Sequence, residues 1–289
     1  MPPRWFCMLI LILWMFTTAK LLRDDLLPHL LPGTPPTFTI DLVEETDNQK
    51  MYTPWTLYKD DMKWMNVRTR VEKPERDLFE LSAEYLPLER GTMAHINGMN
   101  IKRMFSAYRV NPEGELRGIR VEIQGQTEIP ALKDLLKAPK IDLELSIEGQ
   151  VVDGKMAPRV KGKGLGFEKE YQLPEVAVPR GGGLLQPLHP VNRIRGLRPG
   201  QTWSVPLFDS VSDSLSSFHS APAVPKRLRA IVRPQPERFE HGRRASEECY
   251  VIDYRNDEIQ AATWVSTSTG LVLLQEVVLD RTRWAMYRD

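Results

Sequence analysis

The sequence holds few of the residues from which reactive sites are usually assembled: two cysteines and five histidines in 289 residues. Cys7 lies in an apolar N-terminal run and Cys249 in an alternating segment, so no intrachain disulfide is expected, and Cys249 reads as a small buried apolar residue. His29, His95, His189, His219 and His241 stand singly in linkers and turns, with no pair at metal-ligand spacing. No sign of charge dominates. The chain has 39 basic against 38 acidic residues, and setting aside Arg4, the one charge ahead of Lys20, leaves 38 of each. Nucleic-acid binding needs a concentrated positive face, so nucleic acid is not an expected partner.

Signatures of catalysis are equally sparse. No serine sits in a Gly-x-Ser-x-Gly elbow. Gly162, Gly164 and Gly166 in KGKGLGF are not followed by Lys-Ser/Thr, so they read as a bulged or flexible strand rather than a phosphate cradle. Ser216 to Ser220, SSFHS, reads as an ordinary loop around His219. Asp24-Asp25, Asp60-Asp61 and Glu247-Glu248 are adjacent, and neighbours in extended chain point to opposite faces, which is poor geometry for paired carboxylates. Cys249 with distant His241 is a poor thiol pair, because the neighbouring Glu248 disfavours a thiolate. No catalytic, cofactor-binding or metal-binding residue is assigned.

What the chain does have begins at its N-terminus. Trp5 to Phe16 is an uninterrupted apolar run behind Arg4, followed by the small residues Thr17-Thr18-Ala19. A charged start, an apolar run and small residues fit an export signal cleaved near Ala19. Extended to residues 5–22 the same stretch fits a single-span anchor, with Lys20 snorkelling. Residues 1–24 are thus expected to be a signal peptide or signal anchor, placing residues after about 25 outside the cytoplasm, either in a single-pass protein or in an exported one.

Residues 25–37, with LLPHLLPGTPPT, form a Pro-rich linker. Residues 38–289 follow as one β-rich extracytoplasmic domain, with a boundary or flap near 179–190 at PRGGGLLQPLHP. Period-two alternation runs through Phe38, Ile40 and Leu42, then through KWMNVRTRVEK and DLFELSAEYLPL. Two hairpins turn at Asn111-Pro112-Glu113-Gly114 and at Asp153-Gly154, and an Arg198-Pro199-Gly200 turn feeds a strand around Trp203 and Val205. The closing segment TWVSTSTGLVLLQEVVLD reads as two strands about Gly270. Short turns imply antiparallel order. The expected fold is mainly β: a large curved antiparallel sheet or incomplete barrel, with a short helix at 129–139 and an apolar helix ahead of it.

LYKDDMKWMNVRTRVEK, IDLELSIEGQVVDGKM, GLRPGQTWSVPLFDS and TWVSTSTGLVLLQEVVLD, in this order, resemble the β-rich exported region that precedes transglutaminase-like domains in bacterial envelope proteins. The last of them is also similar to the closing hairpin of periplasmic lipoprotein carriers. The resemblance spans about Trp55 to Asp280. It implies a stand-alone accessory sheet without a Cys-His-Asp core, or a curved, incomplete barrel whose concave face holds an apolar ligand. On that basis Trp64, Phe105, Trp203, Trp264, Leu271 and Leu273 are the expected groove or partner contacts, with Trp264, Leu271 and Leu273 closing the sheet. The expected function is a non-catalytic envelope protein binding another envelope protein or a lipid-like ligand. The alternative is an envelope hydrolase or transferase whose site joins a distant histidine to a carboxylate.

Overall fold

The structure is a computed structural model, which describes residues 13–18, 20, 52–89, 94–96, 99–128, 140–164, 167–178, 191–207, 226–241, 246–256, 259–279 and 281–289. The linker at 25–37, the alternation at Phe38 to Leu42, the helix expected at 129–139, the flap at 179–190 and the SSFHS loop all lie outside these residues. Of the N-terminal run, residues 13–18 and 20 are described and are helical. Among the described residues no helix is long and apolar enough to cross a membrane.

Among the described residues eighteen strands make the protein mainly β. The first group is β1 (Thr53–Lys59), β2 (Met62–Glu75), β3 (Leu78–Pro87), β4 (Ala94–Ile96), β5 (Met99–Val110) and β6 (Leu116–Glu128). Then come β7 (Lys140–Val152), β8 (Lys155–Met156), β9 (Arg159–Gly164), β10 (Phe167–Gln172), β11 (Val176–Ala177) and β12 (Thr202–Leu207). The last are β13 (Lys226–Val232), β14 (Glu237–Phe239), β15 (Glu247–Arg255), β16 (Gln260–Ser266), β17 (Val272–Leu279) and β18 (Thr282–Arg288).

All pairings are antiparallel, and they join two meanders. One runs β1, β2, β3, β5, β6, β7, β9, β10, and the other runs back from β18 through β17, β16, β15 and β13 to β12. The β1–β18 pair, with Leu57 opposite Met286, welds them into one sheet. The sheet does not close: among the described residues β10 and β12 are its two edges. β4 pairs with β5 beyond the end of β3, and β14 with β15 beyond the end of β13. The small strands β8 and β11 form a short ladder on the end of β7.

The turns follow from their residues. Asp60 and Asp61 have φ of 46° and 67°, and Asp153 and Gly154 have 51° and 73°, the left-handed pairs that a two-residue hairpin requires. The Gly114 amide donates to the Asn111 carbonyl at 2.9 Å, closing the expected β5–β6 turn. At Arg198-Pro199-Gly200 the Gln201 amide donates to the Arg198 carbonyl at 3.1 Å.

Alternation gives the sheet two unlike faces. On one face Trp55, Leu57, Met65, Val67 and Tyr85 meet Ala230, Val232, Ile252, Val277 and Met286 in the main core. The same face continues through Phe79, Tyr108, Ile119, Val121 and Ile147, covered in part by Met156, Val176 and Val178, as a second core. The opposite face of β2 to β10 carries cross-strand ion pairs: Arg103–Glu84 at 2.7 Å, Arg109–Glu80 at 2.9 Å and Lys102–Asp142 at 2.6 Å. Such exposed pairs contribute little stability each, but they keep that face wet.

Among the described residues the register shifts at several places, and two of these bulges involve the residues expected as contacts. Leu57 faces Met65 while Tyr58 faces Lys63, so Trp64 is an extra residue; Trp264 faces Leu274 while Val265 faces Val272, so Leu273 is another.

Candidate functional site

The six aromatic and aliphatic residues expected as groove or partner contacts fall into three places. Trp203 is buried in the main core and Trp64 packs against it, its ring edge-on to Trp284 at 4.9 Å. Lys59 Nζ lies 5.5 Å from the Trp284 ring centre on the same rim. Trp264, Leu271 and Leu273 pack instead with Phe239, Cys249, Leu274 and Ala285 in a third cluster. Because Ala285 and Tyr287 alternate with the core residues Trp284 and Met286, this cluster occupies the other face of the sheet. Phe105 is half-buried between Glu84 and Glu122 of the flanking strands, on the ion-paired face.

Cys249 is fully buried in the third cluster. Burial, with the nearby Glu247 carboxylate adding to it, pushes its thiol up to about 12. His241 stacks on Tyr287 at 3.9 Å and sits edge-on to Tyr58 at 6.2 Å. His29, His189 and His219 lie outside the described residues, and His95 is placed only as part of the β4 backbone. Among the described residues no cluster of His, Cys, Asp or Glu is arranged to hold a metal ion. Asp60 and Asp61 serve the β1–β2 turn: the Arg283 amide donates to Asp60 Oδ1 at 2.9 Å and the Arg283 guanidinium to Asp61 Oδ1 at 2.6 Å. Glu247 accepts from the Ser266 hydroxyl.

Two other arrangements are better placed to meet a ligand. The first is an apolar row on the core face where the two cores meet. Met104, Ile123 and Leu145 are half-buried there, Ile123 packing against both cores, and Leu143 continues the row along β7. Ile123 faces Leu145 across β6–β7, and Leu145 faces Gly162 across β7–β9. Beside that glycine there is room among the described residues: a Cβ built there would meet none of them within 4 Å. The sequence signal for this row was the alternation of Leu143, Leu145 and Ile147 together with Gly162, read there only as strand and bulge.

The second lies where residues 191–200 run as a strap beside the β16–β17 turn. Val191 N donates to Gln275 Oε1 at 2.6 Å, Val272 N to the Asn192 carbonyl at 3.0 Å and Ile194 N to the Gly270 carbonyl at 2.8 Å. Between strap and turn is a cleft of ≈ 480 Å³ bordered by Arg193, Arg195, Tyr250, Thr267, Ser268 and Thr269.

No protein-family model matches the chain. No curated protein and no solved structure matches it either.

Proposed function

We propose that this is a non-catalytic protein of the bacterial envelope, exported or tethered through residues 5–22, that carries an apolar, lipid-like ligand on the inner face of a curved, incomplete barrel. The observation that supports this reading is the half-buried row of Met104, Ile123, Leu143 and Leu145 beside the open space at Gly162. Apolar side chains left partly in water at the centre of a face whose two ends are packed gain from a ligand that removes them from water, at about 25 cal/mol per Å² covered. The ion-paired face offers no such gain.

The edges are poorly suited to strand addition from a protein partner such as a transglutaminase-like envelope protein. On β10 the exposed residues Glu168, Lys169 and Glu170 put charge on both faces, and β12 carries Pro206, which lacks an amide to pair. This favours the ligand over the partner.

The test is native mass spectrometry with lipid extraction on the exported protein purified without harsh detergent. A co-purified lipid-like mass is the expected result. A bare protein mass, unchanged after incubation with envelope lipids, would remove the carrier reading and turn the search to crosslinked protein partners.

A further inference from the structure

One cross-strand row leads from an exposed lysine to the buried core. Lys169 on β10 faces Gly162 on β9, and Gly162 faces Leu145 on β7. Leu145 faces Ile123 on β6, Ile123 faces Met104 on β5, and Met104 faces Tyr85 on β3. Directly opposed residues of antiparallel strands lie on one side of the sheet, so the whole row belongs to the core face. Exposure falls along it: Lys169 is exposed, Leu145, Ile123 and Met104 are half-buried, and Tyr85 is buried in the main core.

The other cations of the β9–β10 hairpin stand on the opposite face, each beside an acid. Lys161 pairs with Glu168 at 2.5 Å, Arg159 with Glu170 at 3.7 Å and Lys163 with Glu144 at 4.0 Å. Lys169 alternates with Glu168 and Glu170, so it is turned from those acids toward the apolar row. Tyr171, two residues further on the same face and 51% exposed, adds a phenol O–H at the same end. Between Lys169 and Leu145 stands Gly162, whose Cβ would meet none of the described residues within 4 Å. The row is therefore lowest just inside its cation.

A cation at the outer end of half-buried aliphatic side chains is complementary to an amphiphile with one negative charge. Its chain covers Leu145, Ile123 and Met104, while its head stays hydrated and pairs with the ammonium. Lysine is a compact point charge that meets a monoanionic head, whereas bidentate recognition of phosphate is the strength of arginine. Gly162 to Met104 is three strand spacings, roughly 14 Å, which matches an extended chain of about a dozen carbons.

We propose that the ligand of the apolar row is a long-chain fatty acid, its carboxylate paired with Lys169 and its chain laid across β9, β7, β6 and β5. This rests on the carrier reading and adds to it the charge of the head and the direction of the chain.

The experiment titrates the exported protein, stripped of bound lipid, with submicellar dodecanoate and in parallel with its neutral counterpart monododecanoylglycerol, at pH 8 and low salt, followed by calorimetry. Dodecanoate is expected to bind about fivefold tighter, the upper end for an exposed ion pair. Lys169→Gln is expected to bring the two probes level without changing the neutral one, whose binding also reports an intact site, and Lys169→Glu to put the neutral probe ahead. Lys161→Gln, on the opposite face of the same hairpin, is expected to keep the parent's preference. Equal binding of both probes by the parent, a preference that survives Lys169→Gln, or one abolished by Lys161→Gln overturns the assignment of the head to Lys169 and leaves the carrier reading standing. Binding of neither probe overturns both.

Discussion

The Thr69 hydroxyl donates to Asn192 Oδ1 at 2.9 Å and accepts the Trp55 indole N–H at 3.0 Å, so the middle of β2 is hydrogen-bonded to a strap 123 residues further along the chain. Asn192 is 8% exposed, Thr69 3% and Trp55 0%. The Asn192 carbonyl accepts twice more, from Val272 N at 3.0 Å and from the Arg288 guanidinium at 2.9 Å. Arg288 in turn lies 5.4 Å from the Trp55 ring centre. A buried polar chain of this kind is costly when half-made, so it fixes the strap in one position.

Asn192→Leu leaves the buried Thr69 hydroxyl only the long 3.5 Å contact to the Thr53 carbonyl in place of its 2.9 Å acceptor. The expected loss is about 1–3 kcal/mol in urea unfolding, the cost of a buried polar group left unsatisfied. Combining it with Thr69→Val is expected to cost less than the two single changes added together, because the second change removes the orphaned group. Full additivity would show that the two side chains are not coupled.

Gly270 has φ of +72°, and a Cβ there would sit 2.9 Å from the Ile194 carbonyl oxygen. Gly270→Ala is therefore expected to lower stability by more than about 1 kcal/mol, from left-handed backbone strain and collision with the strap together. Thermal unfolding checks this, with Gly162→Ala as the contrasting case that is expected to be near neutral, since its Cβ meets nothing.

Gly162→Leu fills the open space beside Leu145. The substitution is expected to leave the far-UV spectrum intact while displacing any co-purified lipid-like mass. Retention of that mass would place the ligand elsewhere.

The Cys249 thiol, pushed up to about 12 by burial, is expected to resist alkylation at pH 8 in the native protein and to react on unfolding, as read by mass spectrometry of the peptide that contains it. Its linkage to stability has a definite sign. Between its unfolded value, about 8.5, and its folded value the native state keeps a proton that the unfolded state has lost, so stability falls as pH rises through that window. Buried Tyr85 and Tyr254, also raised by burial, extend the same trend to higher pH. Cys249→Ala is expected to flatten the early part of the decline between pH 9 and 11, measured by the urea midpoint.

Arg233 donates to both Asp253 oxygens, at 2.9 and 2.8 Å, and to Glu237 at 2.6 Å, tying the turn before β14 to β15. Asp253 is 17% exposed at its side chain, so this fork is drier than the ladders on β2 to β10. Arg233→Met is expected to cost about 1–2 kcal/mol, and Lys161→Met on the exposed hairpin β9–β10 is expected to cost less. Equal losses in chemical denaturation would show that burial does not distinguish the two.

The local elements were legible because they are encoded locally. Period-two runs mark the strands, and Asn111 to Gly114, Asp153-Gly154 and Gly270 mark turns whose backbone angles those residues adopt cheaply. The bulges at Trp64 and Leu273 were not legible. The segment around Trp64 reads as plain alternation, and Leu273 stands in an unbroken aliphatic run from Leu271 to Leu274, so neither extra residue is marked locally. Trp264, Leu271 and Leu273, expected to close the sheet over the core or groove, pack in the cluster with Phe239 and Cys249.

Amino-acid order by itself determined that this chain is antiparallel β, where it turns, and that one face of each strand avoids water, because those properties depend on neighbours a few residues apart. Tertiary structure decided that β1 pairs with β18, that Asn192 reaches Thr69, and that Arg193 and Arg195 stand over the Ser266 to Gly270 turn. These contacts join segments tens to hundreds of residues apart. Nothing in a local pattern specifies them; they follow from which faces remain to be buried once the strands have paired.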